Sequence, residues 1–421
     1  MLESGLLKAR SAWHKLGMQP VDILIGGVPF GRNNVGDEAI LECVVGLIRE
    51  VCPAAQITVS TDQQEETAER LDVDTVSLFG FQPSYSQAQM EECIAKADVF
   101  MWAGATGLSD YPEIPLGMLG IAHRVGTKTV VWGVGMNDEL NSFIYRVQPG
   151  KRHVLLTLFS WLTLNRLDFI DRYEKKAEVR ARKKIAEELN RCDLVVLRDP
   201  ETLAVVHACG DVPNAMVGAD SAELLEPLPW EQITLTREAR KILESSTRKI
   251  GLCISAQRQI VHKQELVDFL DRLVACDHHI VFLPMNHATD APLMESLRER
   301  MENREHSVVI EGRRSPREIL AIAGKLDLVI SSRLHLLILA SVLHVPIIGI
   351  SRGTKVDNFL APFGHTSAGS VDDCDFNHMQ TELDRLIDSR EEFREVSTAV
   401  HEMLLQRLDE AKLKLAQVLT V

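Results

Sequence analysis

Residues 328–350 read LVISSRLHLLILASVLHVPIIGI, a run that is almost wholly apolar. A membrane-spanning helix needs roughly 20 consecutive apolar residues, and Arg333, His335, His344 and Pro346 interrupt this one. The reading that remains is strand, helix and strand buried in a core. A β-branched run ends at Ser331, a Leu-rich helix follows, and a turn at His344-Val345-Pro346 leads into a second strand over Pro346–Ile350. Two strands joined by a helical crossover lie parallel, and a parallel sheet is covered on both faces, so both strands are apolar throughout.

Working outward, the same alternation recurs along the chain. Strand candidates in the first half are Asp22–Ile25, Ile57–Ser60, Thr75–Leu78, Val99–Trp102, Thr129–Trp132 and Leu194–Leu197. In the second half they are Ile250–Ile254, Ile280–Leu283, Ser307–Ile310, Leu328–Ser331 and Pro346–Ile350. The pattern predicts an α/β protein of two doubly wound Rossmann-like domains, residues 1–225 and 226–421, facing each other. They part in Glu226–Arg248, where Pro227 and Pro229 break the chain before a charged helix. Segment 143–191 does not fit the alternation and predicts a helical insert; Arg394–Leu419 predicts a long final helix able to cross back onto the first domain.

Composition excludes several classes. With 46 Lys plus Arg against 60 Asp plus Glu, the 421-residue chain carries a net charge of −14, which argues against nucleic-acid binding driven by phosphate neutralisation. The start, MLESGLLKARSAWHKLG, has no continuous apolar stretch of the kind a secretory signal needs, and Val154–Leu164 is too short to span a bilayer. The expectation is therefore a cytoplasmic protein. Eight cysteines without a CxxC pair predict free thiols, neither a zinc site nor a disulfide framework, and no metal-ligand spacing is visible among the histidines. The insert is basic against the acidic whole. It reads either as a solvated face with intrahelical ion pairs or, with VLLTLFSWLTL beside it, as a peripheral contact of 151–191 with a membrane surface. Homo-oligomerisation stays open.

Chemistry is expected in the loops after strands. GGVPFGRNNVGDEAIL, residues 26–41, joins a strand to a helix starting near Asp37, with Asn33, Asn34, Asp37 and Glu38 concentrated at the strand's carboxyl end. Its spacing is neither that of a dinucleotide-binding loop nor of a P-loop, and Asp37 reads either as a helix cap or as a site residue. WAGATGLSD (102–110), with Gly104 and Gly107, and WGVGMND (132–138) repeat the glycine-bearing arrangement, so that the glycines would let the backbone approach a ligand. Arg198 and Asp199 follow the strand at 194–197; Arg333 and His335 follow Ser331 and Ser332; Lys355 follows the last strand. Cations at neighbouring strand ends suit a small polyanion, which arginine grips in bidentate fashion. The other reading pairs Arg333 with a core acid, Arg198 with Asp199 or Glu201, and leaves His335 as a core imidazole. His287 and Asp290, in LPMNHATD, also follow a strand and could edge the cleft.

NNVGDEAIL, WGVG, VLRDPETL, SSRLHLLILASVLHVPIIGIS and GTKVDNF form an ordered series over most of the chain, and together they resemble the polysaccharide pyruvyl transferase family. The resemblance implies two Rossmann-type domains in a glycosyltransferase-B arrangement and transfer of the enolpyruvyl unit of phosphoenolpyruvate to sugar hydroxyls as a ketal. It implies no tightly bound cofactor, phosphoenolpyruvate as donor, and a sugar or lipid-linked oligosaccharide as acceptor. On the donor side it implies Arg198, Arg333, Ser332 and Lys355, with His335 as the proton-transfer residue. On the acceptor side it implies Asn33, Asn34, Asp37, Glu38, Gly104 and Gly107. The chain departs from the family pattern at Ala103–Gly107, where a glycine triplet is usual, at Gly218-Ala219-Asp220-Ser221, and at Ser351-Arg352-Gly353-Thr354, where Arg352 adds a cation. A nucleotide-sugar-dependent glycosyltransferase of the same fold and a non-catalytic glycan-binding relative are the alternatives.

Overall fold

A computed structural model describes residues 21–82, 85–164 and 166–419. The amino-terminal stretch read above for a signal lies outside them. The first half runs β1 (Asp22–Gly26), α1 (Val35–Val51), β2 (Gln56–Thr61), α2 (Gln64–Leu71), β3 (Asp74–Ser77), α3 (Gln87–Lys96) and β4 (Val99–Ala103). It continues with α4 (Gly107–Asp110), α5 (Glu113–Val125), β5 (Lys128–Val134), α6 (Lys151–Leu162), α7 (Phe169–Asn190), β6 (Leu194–Leu197), α8 (Pro200–Cys209) and β7 (Ala215–Val217). The second half runs α9 (Arg237–Leu243), β8 (Arg248–Cys253), α10 (Lys263–Ala275), β9 (His278–Phe282), α11 (Asp290–Arg298) and β10 (Ser307–Val309). It ends with α12 (Pro316–Ala323), β11 (Leu328–Ser331), α13 (Leu334–Val342), β12 (Ile347–Gly349), α14 (Thr354–Leu360), α15 (Phe376–Asp388) and α16 (Arg390–Leu419).

All strands pair in parallel, in the order β3-β2-β1-β4-β5-β6-β7 in the first sheet and β10-β9-β8-β11-β12 in the second. The strand order reverses beside β1 and β4 in one sheet and beside β8 and β11 in the other. The loops at those two places open outward into the crevices where sheets of this type bind ligands. Every strand read from the sequence is present within a residue or two of its limits. β7 is the addition, three half-buried residues at the sheet edge whose length and burial leave no apolar signature.

The strand-helix-strand unit that opened the reading is the centre of the second core: β11 and β12 are fully buried, as is every residue of α13 between Leu336 and Ser341. Each Leu or Ile so buried contributes about 1.5–3 kcal/mol. The two halves interlock. Val35, Ala39 and Cys43 of α1 pack into the second core, and Val35 N donates to the Met285 carbonyl at 2.9 Å beside an Asn34–Asn286 bridge. In return α16 crosses the divide, Phe393 and Val400 lying in the second core and Leu408, Ala411, Leu415 and Leu419 in the first. Among the described residues no helix is long and apolar enough to cross a membrane.

Candidate active site

At the end of β11 the Ser331 hydroxyl accepts from Arg333 N and donates to the Arg333 carbonyl, both at 2.9 Å, which turns the chain out of the sheet. Ser332 is fully buried and its hydroxyl accepts from Ser255 N at 2.9 Å, tying the end of β11 to that of β8. The Arg333 guanidinium, 9% exposed, donates from Nε (3.0 Å) and Nη2 (2.7 Å) to the carboxylate of Asp290, which is wholly buried. Ala256 N donates to the same carboxylate at 3.0 Å. Arg333 is thus held by a core acid in a fixed bidentate pose, with Nη1 outside that pair.

In the first turn of α13, His335 reaches across to the first domain. Its ring lies against Gly36, where a Cβ would collide with Nδ1, Cγ and Cε1. Its Nε2 is 3.4 Å from Oδ2 of Asp220, a charge contact rather than an aligned hydrogen bond. Burial alone would raise the Asp220 carboxyl; His335 and then Arg198 outweigh it and hold Asp220 below its ordinary value. Asp37 faces the imidazole from the first turn of α1 and takes a 2.7 Å hydrogen bond from Asn34 Nδ2. Burial, opposed by His335 and reinforced by Glu38, pushes Asp37 up to about 6. One buried carboxyl beside the imidazole is therefore ionised at neutral pH, and a second titrates close to it.

Arg198, at the end of β6, is 8% exposed and lies over Gly135, where a Cβ would sit 2.5 Å from its Nη2. Its Nε donates to Asp199 at 3.2 Å, while the other Asp199 oxygen caps α8 through Thr202 N at 2.6 Å. Nη1 is 4.0 Å from Asp220. Lys355 opens α14, and burial pushes its ammonium down to about 8. Asp110, the last residue of α4, opposes that shift, and Arg352, Arg198 and Arg333 add to it. Burial and then Arg333 push Arg352 down to about 10. Four cations from three strand ends, contributed by both domains, therefore share one field. Around them Arg352 Nε, Thr354 Oγ1, Asn137 Oδ1, Asp220 Oδ2 and His335 Nε2 are buried without a hydrogen-bond partner. Buried polar atoms are ordinarily paired within the protein, so a group of them at strand ends marks a place built for a polar ligand.

The family model described as polysaccharide pyruvyl transferase matches residues 34–354, three-quarters of the chain. The chain belongs to the polysaccharide pyruvyl transferase family. No curated protein sequence matches it. Among solved structures it is similar to the glycotransferase of kitacinnamycin, at 12% identity and TM-score 0.58 over 96% of this chain and 100% of that one. A UDP-N-acetylglucosamine 2-epimerase from Listeria monocytogenes gives 12% and 0.58 over 90% and 91%. Anabaena Alr3699/HepE, solved with UDP, gives 11% and 0.54 over 95% and 99%. These likenesses carry the two-domain glycosyltransferase-B fold.

Within this family member the residues singled out in the sequence separate into groups. Arg198, Arg333, His335, Lys355 and Asp37 come together where the two domains meet, close enough to act on one another's charge or on that of Asp220. Asn34, and not Asp37, caps α1: its Oδ1 accepts from Gly36 N at 3.2 Å. Glu38 accepts from Gly31 N at 2.7 Å and pairs with Arg70, and with Asn33 and His287 it lines a different interdomain cavity of about 240 Å³. Gly104 is closed off by Ile40 and Gly107 by Trp102, so the space beside these two glycines is filled by protein. Gly36 and Gly135 make room for His335 and Arg198, a reason for glycine that loop composition alone does not reveal. Asp220 and Asp110 fall in stretches quoted from the sequence, one as a departure from the family pattern and one as the end of a glycine-bearing loop, but neither is read there as a site residue.

These two contacts predict a stability pattern. Gly36→Ala and Gly135→Ala are each expected to destabilise by about 1–3 kcal/mol through overpacking. Gly46→Ala, on the exposed side of α1 with nothing within 4 Å, is expected to stabilise by about 0.5–1 kcal/mol. Urea denaturation of the three variants checks this, and a Gly36→Ala protein as stable as the parent would contradict the packing described.

Proposed function

We propose that this family member transfers the pyruvyl unit of phosphoenolpyruvate to two hydroxyls of a sugar in a cell-surface polysaccharide or its lipid-linked precursor. The observation that carries the reading is the field of Arg198, Arg333, Arg352 and Lys355 beside an imidazole set between two buried carboxyls. A compact trianion such as phosphoenolpyruvate favours the charged forms of Lys355 and Arg352, which burial and the neighbouring arginines push down, and meets the sides of Arg198 and Arg333 that their acid partners leave open. The reaction balances without a further cofactor. The donor methylene takes one proton, the two hydroxyls give up two, their oxygens form the ketal, and phosphate leaves with the second proton.

In this reading His335 delivers the proton to the methylene carbon, with Asp220 stabilising the imidazolium. Arg198, Lys355 and Nη1 of Arg333 hold the donor and stabilise the charge on the departing phosphate. Asp37, with its value near 6, accepts a proton from the acceptor hydroxyl. Ser332 supports this site through the backbone at the ends of β8 and β11. A nucleotide-sugar donor has the shared fold behind it and is the competing outcome of the test.

Calorimetric titration of phosphoenolpyruvate, with UDP-glucose as the comparison, distinguishes the two. The pH dependence identifies Lys355. Its ordinary value is 10.5 and its value in the fold is about 8, so a bound polyanion, which favours the ammonium, must take up a proton above pH 8. Phosphoenolpyruvate affinity is expected to fall as pH rises from 8 to 9, by up to about tenfold per pH unit, and to lose this dependence in Lys355→Met. Binding of UDP-glucose alone would replace the proposed donor.

A further inference from the structure

Of the helical insert between β5 and β6, α7 buries Ile185, Ala186 and Leu189 in the first core, whereas α6 is turned inside out. In α6 the one fully buried residue is Ser160, whereas Val154, Leu155, Leu158, Phe159, Trp161 and Leu162 are 45–66% exposed. Leu164 in the turn that follows is 79% exposed, and Phe143 ahead of the helix 77%. Elsewhere exposed large apolar residues stand singly, as at Val261 and Leu413, whereas here they are clustered. On α7, which packs against α6, Arg172, Lys176, Arg180 and Lys184 recur every fourth residue, which places them in one stripe. All four are exposed, and none has an ion-pair partner among the described residues. By contrast Lys175, Arg182 and Lys183 pair with Asp171, Glu178 and Glu187. The segment 151–191 holds eleven Lys and Arg against six Asp and Glu in a chain of net charge −14.

We infer that this face docks on an anionic lipid bilayer. Apolar side chains including a tryptophan enter the headgroup boundary, while a cationic stripe lies against the acidic headgroups. Charge decides against a neutral partner surface: four unpaired cations aligned beside the apolar face need an extended anionic plane, which a second copy of this acidic chain presenting the same basic face would not offer. The geometry also connects the insert to the cleft. Arg182 donates to the Asp138 carbonyl at 2.6 Å, in the loop after β5 that carries Asn137, and Asn137 reaches Asp110. Docking would hold that side of the cleft toward the membrane, where a lipid-linked acceptor resides. The inference does not depend on the identity of the donor.

The test is flotation of the full chain with vesicles of phosphatidylcholine alone and of phosphatidylcholine with 30% phosphatidylglycerol, with Trp161 emission read on the same samples. The wild type is expected to float with the anionic vesicles only, with a blue shift that Trp161→Phe removes and that 0.5 M salt weakens. Leu158→Ser and Trp161→Ser are each expected to weaken binding by about tenfold, and Arg172→Gln/Lys176→Gln/Arg180→Gln/Lys184→Gln to abolish the preference for anionic lipid. Unchanged circular dichroism in these surface variants would confirm that folding is retained. A folded wild type that does not float overturns the inference. So does a dimer in sedimentation that Leu158→Ser dissociates, because the face would then belong to a second copy.

Discussion

Replacing His335 by alanine is expected to slow phosphate release from phosphoenolpyruvate by about 10²–10⁴-fold, with phosphoenolpyruvate affinity changed less than about tenfold. The split follows from where the groups sit. The cations that would hold the donor come from the ends of β6, β11 and β12, and none of them is positioned by the imidazole. His335 instead lies between Asp220 and Asp37 against the bare backbone of Gly36. Removing it leaves the cation field intact and removes the group that would supply the proton. Asp220→Asn is expected to act in the same direction, since it removes the buried charge that lies 3.4 Å from His335 Nε2. The double variant should be no slower than His335→Ala alone, because groups that act as one unit are not additive. Phosphate release followed with an acceptor glycan and calorimetry with the donor together decide the matter. Lost affinity with unchanged turnover would move His335 from proton transfer to donor binding.

The sequence makes some of this legible and hides the rest for physical reasons. Parallel strands buried on both faces are continuous apolar runs, so 328–350 can be parsed even though helix and strand are equally hydrophobic there. β7 escapes because an edge strand of three half-buried residues need not be apolar. Side-chain chemistry at strand ends is also legible: Arg198, Arg333, His335 and Lys355 stand out as ionisable groups at the junctions of buried elements. What a linear reading lacks is the partner. Asp220 meets His335 across the domain boundary, and Asp290 lies two helices and two strands away from the arginine it binds. The glycines show the same limit. GDEAIL and WGVG both look like loops shaped for a ligand, yet Gly36 and Gly135 are small because a functional side chain occupies the place of their Cβ.

Breaking the Arg333–Asp290 pair is expected to destabilise the protein by about 3–5 kcal/mol from either side. Both oxygens of Asp290 are engaged, and neither group has solvent to fall back on: Asp290 is fully buried and Arg333 nearly so. Arg333→Ala leaves a buried carboxylate without its counter-charge, and Asp290→Ala leaves a buried guanidinium. Loss of phosphoenolpyruvate binding in Arg333→Ala alone would therefore not distinguish a donor contact from a weakened core. The double variant Arg333→Ala/Asp290→Ala removes both charges and is expected to be more stable than either single variant, a coupling of about 2–3 kcal/mol in a denaturation cycle. Phosphoenolpyruvate binding should stay lost in the double variant if Nη1 of Arg333 reaches the donor. Recovery of binding together with stability would make Arg333 a residue that shapes the end of β11, and would leave Arg198, Arg352 and Lys355 to hold the anion.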